Sequence, residues 1–136
     1  MAQTTSPVLN YDVKTGRILA QTNDGWVYGM LHAPVAVLVS SGSTCAIPDN
    51  TSLVYVDPAT ALSSLTITLP RNPFDGDTVE ILFGGKIASG SSVVTALTIS
   101  PNTGQKIYGA NVTTANGGLV LKYRYRAITN QWYRVQ

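Results

Sequence analysis

Alternation is the strongest signal in this chain. In Ser64-Leu65-Thr66-Ile67-Thr68-Leu69 every second residue is aliphatic and the residues between them carry hydroxyls. The pattern returns in Thr78-Val79-Glu80-Ile81-Leu82-Phe83 and in Ala96-Leu97-Thr98-Ile99-Ser100. A period of two sends successive side chains to opposite sides of an extended backbone, so each segment reads as a half-buried strand with one apolar face. Residues 26–32, 35–40, 52–57, 93–100, 106–108, 118–127 and 131–135 complete a set of about nine strands. Turn chemistry separates them: Asp57-Pro58-Ala59, Pro70-Arg71-Asn72-Pro73-Phe74-Asp75-Gly76, Pro101-Asn102-Thr103-Gly104 and Asn116-Gly117-Gly118. Thr129-Asn130 sits between the last two strands and predicts a hairpin. The same Pro and Gly positions leave no room for a long amphipathic helix. The expected fold is all-β, a β-sandwich or jelly roll of about nine antiparallel strands.

The first 25 residues differ. They are mostly polar, and only residues 8–11 and 17–20 have the pattern of short strands, with Lys14-Thr15-Gly16-Arg17 as a turn between them. Residues 1–25 therefore read as an extended N-terminal arm preceding a β-sandwich domain over 26–136, ordered by lying against that domain or a neighbour. Ser40-Ser41-Gly42-Ser43-Thr44 reads as a surface loop between strands.

Composition narrows the chemistry. The chain has 136 residues, of which 12% are charged, about half the usual share of roughly 25%. Sixteen Thr, eleven Ser and eight Asn supply most of the polarity, so surface contact is what such a protein has to offer. The N-terminus has no basic segment followed by an apolar one, so it does not read as a secretory signal. The longest apolar run, residues 33–39, is far short of the ~20 residues of a membrane-spanning helix. Cys45 is the only cysteine, which excludes an intrachain disulfide and a zinc knuckle, and it reads as a small buried hydrophobe. His32 is the only histidine, no G-x-S-x-G element accompanies it, and it reads as structural. Asp75-Gly76-Asp77 resembles the opening of a calcium loop, but Glu80 and Lys86 stand where that loop needs Gly and Glu. It reads instead as a turn, with Gly76 at positive φ and Asp75 capping its own backbone. Gly84-Gly85-Lys86 lacks the rest of a phosphate-binding loop. The expectation is binding without catalysis, with no catalytic residue, metal or cofactor.

One stretch is unusual. In Lys122-Tyr123-Arg124-Tyr125-Arg126 the three cations share one strand face, while Leu121, Tyr123 and Tyr125 take the other. Arg134, in the next strand, extends this stripe if the register permits. Arg and Tyr are enriched at protein interfaces, so the stripe suits an acidic protein surface or a subunit contact. Nucleic acid is not expected, because stacking aromatics would have to share the basic face. Trp132-Tyr133 and Trp26-Val27-Tyr28 read as plugs at the open ends of the core, with a sugar-binding platform as the alternative.

The ordered series Leu65-Thr66-Ile67-Thr68-Leu69-Pro70, Asn72-Pro73-Phe74-Asp75-Gly76-Asp77-Thr78-Val79, Ala96-Leu97-Thr98-Ile99-Ser100-Pro101 with Gly104-Gln105-Lys106-Ile107, and Tyr123-Arg124-Tyr125-Arg126-Ala127 with Trp132-Tyr133-Arg134-Val135 spans roughly residues 50–136. It resembles the small β domains of structural proteins of tailed bacteriophages, namely capsid decoration (cement) proteins and related fibre-tip domains. A domain of this size, without a shaft, an anchor or an internal repeat, matches decoration proteins better than fibres. The resemblance implies a virion protein on the outer surface of the capsid, made in the host cytoplasm, with the major capsid protein as partner. A homo-oligomer is expected, a dimer first and a trimer second. No nucleic acid or membrane partner is expected. Two surfaces are candidates for the capsid contact: Arg17, Ile18 and Leu19, as a strand added to another chain's sheet, and the stripe Lys122, Arg124, Arg126 and Arg134. The alternative is a receptor- or glycan-binding head-fibre or tail-fibre module, for which Trp26, Tyr28 or Trp132 would stand exposed beside a groove.

Overall fold

The computed structural model describes residues 9–12, 17–22, 25–28 and 35–136, with side chains from Val37 onward. Among the described residues the secondary structure is all strand apart from one 3-10 turn, Ala127–Thr129. The chain divides into two compact units, Met1–Pro34 and Val35–Gln136.

The first unit contains β1 (Leu9–Asp12), β2 (Arg17–Thr22) and β3 (Gly25–Tyr28), an antiparallel sheet in the order β1-β2-β3. Leu9 pairs with Ala20, and Leu19 with Tyr28. Within the segment expected as an extended arm, residues 1–25, the described strands β1 and β2 pair with one another and with β3 as a meander. Its short strands satisfy one another's backbone groups locally, which an extended arm cannot do without a second surface. The turn expected at residues 14–16, His32 and the end of the 26–32 strand lie outside the described residues.

The second unit has eleven strands: β4 (Val35–Val39), β5 (Thr44–Ala46), β6 (Thr51–Val56), β7 (Leu65–Thr68), β8 (Thr78–Phe83), β9 (Ser92–Val94), β10 (Leu97–Ser100), β11 (Lys106–Tyr108), β12 (Ala115–Asn116), β13 (Val120–Arg126) and β14 (Gln131–Arg134). A six-stranded sheet runs β11-β14-β13-β8-β6-β4, a three-stranded sheet β10-β7-β5, and β12 pairs with β9. This corrects the expectation of about nine antiparallel strands. The strand expected at 93–100 breaks at Thr95-Ala96 into β9 and β10, which pair with different partners. β5 begins at the end of the segment read as a loop, and β12 is a two-residue strand before the Gly117-Gly118 turn.

Orientation is mixed because the chain alternates between sheets. β4, β6 and β8 return to one sheet and β5, β7 and β10 to the other, so each return runs in the same direction and the pairs are parallel. The antiparallel pairs of this unit are β13 with β8 and with β14, and β12 with β9. The winding has a consequence in the three-stranded sheet. Leu65, Thr66, Ile67 and Thr68 lie beside Leu97, Thr98, Ile99 and Ser100, in register. Two sequence words that look like separate strands are successive layers of one stack.

The aliphatic side of that stack joins the core. Leu65, Ile67, Leu69 and Leu97 belong to the same buried cluster as Val54, Val56, Val79, Ile81, Phe83, Leu121, Tyr123, Tyr125 and Trp132 from the six-stranded sheet. Each fully buried side chain of this kind contributes about 1.5–3 kcal/mol. Cys45 stacks on Ile67 and packs partly buried against the cluster, and burial pushes its thiol pKa up.

A polar network closes the core where three loops meet. Gln105 accepts from the Trp132 indole N–H at 2.9 Å and from the Asn102 amide at 3.1 Å, and donates to the carbonyls of Pro70 and Arg71 at 3.1 and 3.0 Å. Asn130, the left-handed residue of the β13–β14 turn, accepts from the Tyr125 hydroxyl and donates to the Gly104 carbonyl. The Phe74–Asp77 segment is a turn as expected, with Asp77 N–H donating to Phe74 O at 2.9 Å and Gly76 at φ +84°. Its carboxylates are used differently from expectation. Asp77 accepts the Phe74 amide at 2.8 Å, and Asp75 reaches the Ala127 amide at 2.9 Å, tying this turn to the final hairpin.

Candidate binding face of the six-stranded sheet

The side of the six-stranded sheet away from the core has a graded character. Residues directly opposite each other in a sheet share a face. Leu38, Tyr55, Leu82 and Val120 therefore form one apolar row across β4, β6, β8 and β13. Leu38 is 64% exposed and Tyr55 42%. A row further along, Leu53, Glu80 and Lys122 lie side by side, placing an acid and a base on adjacent strands. The row after that is Thr78, Arg124, Tyr133 and Tyr108, and the last is Arg126, Gln131 and Lys106. One end of the face is apolar, the other cationic and aromatic.

Lys122, Arg124 and Arg126 point outward, while Leu121, Tyr123 and Tyr125 are buried, as alternation requires. Arg134 does not join them. It pairs with Tyr123, so it lies on the core side of β14, where it donates to the Ala110 carbonyl at 3.0 Å and the Gln136 carbonyl at 3.3 Å. Its charge sits near Tyr123, whose phenol pKa is pushed up by burial and pulled partly back by that guanidinium. The position the sequence reading gave to Arg134 belongs to Tyr133, opposite Arg124. Lys106 and Tyr108 were not singled out, because the parallel pairing of β11 with β14 joins segments with no turn signal linking them. Trp132 is fully buried and hydrogen-bonded to Gln105, so it plugs the core. The side chains of Trp26 and Tyr28 lie outside the described residues.

The Arg17, Ile18 and Leu19 segment is in β2, the central strand of its sheet. All three residues pair with β1, and Leu19 pairs with β3 as well. Among the described residues the edge strands of that sheet are β1 and β3, so addition of another chain's strand at Leu19 is blocked by internal pairing.

Over the cationic end lies an open groove of about 380 Å³, with Arg124 and Arg126 along its floor, the Asp75-Gly76 turn on one side and Tyr133 and Val135 on the other. Tyr133 stands against Tyr108, with ring centroids 5.4 Å apart and planes tilted by 45°. The Tyr133 hydroxyl donates to Gln131 Oε1 at 3.1 Å, and its pKa is held below the ordinary value chiefly by Thr129, with burial opposing and Arg126 adding smaller lowering effects. No family model matches this chain, and no curated protein matches it.

Among the described residues no three His, Cys, Asp or Glu side chains converge as a metal site, and the carboxylate lining the groove, Asp75, accepts the Ala127 amide. The face provides cations, aromatic rings and apolar surface on a rigid sheet.

Proposed function

We propose that this chain is a structural virion protein of a tailed bacteriophage, a decoration protein that binds the outer capsid surface and bridges neighbouring subunits of the major capsid protein. It works as a homo-oligomer, a dimer in the first instance, and has no enzymatic role. The second unit is read as a β-sandwich of jelly-roll type, because residues from the inner sides of the six- and three-stranded sheets share one buried cluster.

The observation that carries this reading is the outward face of the six-stranded sheet, where an apolar row and a cationic, aromatic end lie on one rigid surface. Large apolar side chains beside Arg and Tyr are the composition of protein interfaces. The phage-like sequence words frame this face: Asp75-Gly76 supplies one wall of its groove and Tyr133 and Val135 the other. A protein that binds only the assembled lattice stabilises it by mass action, and repeated weak contacts on a lattice reinforce one another.

The experiment is to label the protein and locate it on particles by electron microscopy, alongside heat challenge of heads with and without it. Occupancy at regular positions on heads, with earlier DNA release from heads lacking the protein, is the expected result. Its absence from heads overturns the reading. One observation favours a second reading, a receptor- or glycan-binding fibre module: Tyr108 is 66% exposed and paired with Tyr133 at the groove. Binding of the purified protein to host cells, with a label on tails or fibres, selects that reading.

A further inference from the structure

The groove over β13 has a definite geometry. Arg124 and Arg126 are two residues apart on the same strand face, so their side chains leave the sheet roughly 7 Å apart. An extended peptide in which acidic residues alternate with others presents carboxylates at that same interval. The residues between the acidic ones point away from the arginine floor, and Tyr133 and Val135 flank the segment's backbone on one side. The opposite wall carries the Asp75 carboxylate, directed onto the Ala127 amide, so the carboxylates of a bound segment are taken at the two arginines and not along that wall. Lys106 lies on the same face beside Gln131 and adds to the cationic field, whereas Lys122, one row from Arg124, stands opposite Glu80.

We infer that this groove is a docking site for an extended acidic segment of a partner protein, with Arg124 and Arg126 each taking one of two alternating carboxylates. Guanidinium–carboxylate contacts are charge-assisted and can be bidentate, so the site selects spacing as well as charge. The inference deepens the decoration reading by giving the chemistry of the partner surface, and rests on it only for where that partner sits.

The test uses the full chain and a fluorescein-labelled eight-residue peptide of alternating Glu and Val, with a peptide of the same composition in two blocks as comparison. Binding is followed by fluorescence anisotropy and mapped by amide chemical shifts on the wild-type protein. The alternating peptide is expected to bind more tightly than the blocked one and to shift residues 75–76, 124–126 and 133–135. Arg124→Gln/Arg126→Gln is expected to weaken binding about tenfold or more, since each arginine makes a charge-assisted contact. Arg71→Gln/Lys86→Gln, which removes two exposed cations elsewhere, leaves binding within about twofold, as distant surface charges are screened. Equal loss from both double variants, equal affinity for both peptides, shifts confined to other surfaces, or no binding of the alternating peptide at millimolar concentration each overturns the inference. The chemical-shift map needs no variant, so it holds even where a double variant does not fold. Peptide binding by a protein absent from heads sinks the decoration reading and leaves the groove assignment standing. Head occupancy without peptide binding does the reverse.

Discussion

The Trp132 indole N–H donates to Gln105 Oε1 across 2.9 Å, inside a core where Trp132 has no solvent exposure. One side chain thereby satisfies the only polar atom of the largest core residue. Gln105 also holds the 70–71 carbonyls and the Asn102 amide. Two loops and β14, distant in sequence, are fastened by one amide group, and this fixes where the final hairpin lies against the rest of the sheet.

Replacing Gln105 with Leu fills similar volume but strands the indole N–H and two carbonyls. Unsatisfied buried groups cost about 1–3 kcal/mol each where water cannot reach them, so Gln105→Leu is expected to lower stability by about 2–4 kcal/mol. Trp132→Phe removes the donor and some volume and should cost less. Urea unfolding of both single variants and the double variant checks this. The double variant is expected to fall short of the sum of the two singles, because the partners share one bond.

Gly117 approaches the backbone of the segment beside β9. A Cβ there would fall inside van der Waals contact of the Ala88 carbonyl oxygen, a backbone atom that cannot swing away. Gly42 also has an unusual backbone, φ +89°, but nothing lies within 4 Å of its Cβ position. Gly117→Ala is therefore expected to destabilise by more than about 2 kcal/mol, against about 1 kcal/mol for Gly42→Ala. Thermal unfolding of the two variants should separate them clearly.

Arg124 and Arg134 make an informative pair. Arg124 is exposed on the outer face, whereas Arg134 spans from β14 to the Ala110 and Gln136 carbonyls. Arg134→Ala should cost about 0.5–1.5 kcal/mol of stability through its lost hydrogen bonds, and leave binding of the alternating acidic peptide unchanged. Arg124→Ala should do the opposite, with stability within about 0.5 kcal/mol of wild type and weaker peptide binding. Denaturation and anisotropy on the same two proteins test the assignment of each arginine to its face.

Burial raises the Cys45 thiol pKa, so at pH 8 the folded protein holds less thiolate than the unfolded chain. The thiolate is the reactive form. Iodoacetamide should modify Cys45 more slowly in the native protein than in urea, and mass spectrometry over a time course measures the ratio. Equal rates would contradict a packed position beside Ile67.

Much of the candidate face was legible in the residues themselves. Lys122-Tyr123-Arg124-Tyr125-Arg126 assigns its own sides by alternation, and burial of Tyr123 and Tyr125 agrees. The turn at Phe74–Asp77 was legible from Gly76, yet the roles of its two carboxylates were not, because Asp75 acts on Ala127, far away in sequence. The sequence reads Tyr133 as a core plug and Arg134 as part of the stripe, and the structure exchanges them, because a one-residue slip swaps the faces of a strand. The register that decides between them depends on a three-residue 3-10 turn and Asn130 in the left-handed region.

Strand identity, the apolar side of each strand and the places where the chain must turn all follow from local properties: the two-residue side-chain period, the φ of Pro and Gly, and short-range capping. Residues 64–69 and 96–100 carried that information complete. Nothing local told that Leu65–Thr68 and Leu97–Ser100 are parallel neighbours, or that β11 would lie beside β14 and bring Tyr108 to Tyr133. A strand's edges are the same backbone amides and carbonyls whichever partner arrives, so partner, direction and register are chosen by how all the apolar faces are buried at once. That choice turned an expected antiparallel arrangement into a mixed one, and moved one arginine off the candidate face while bringing a tyrosine onto it.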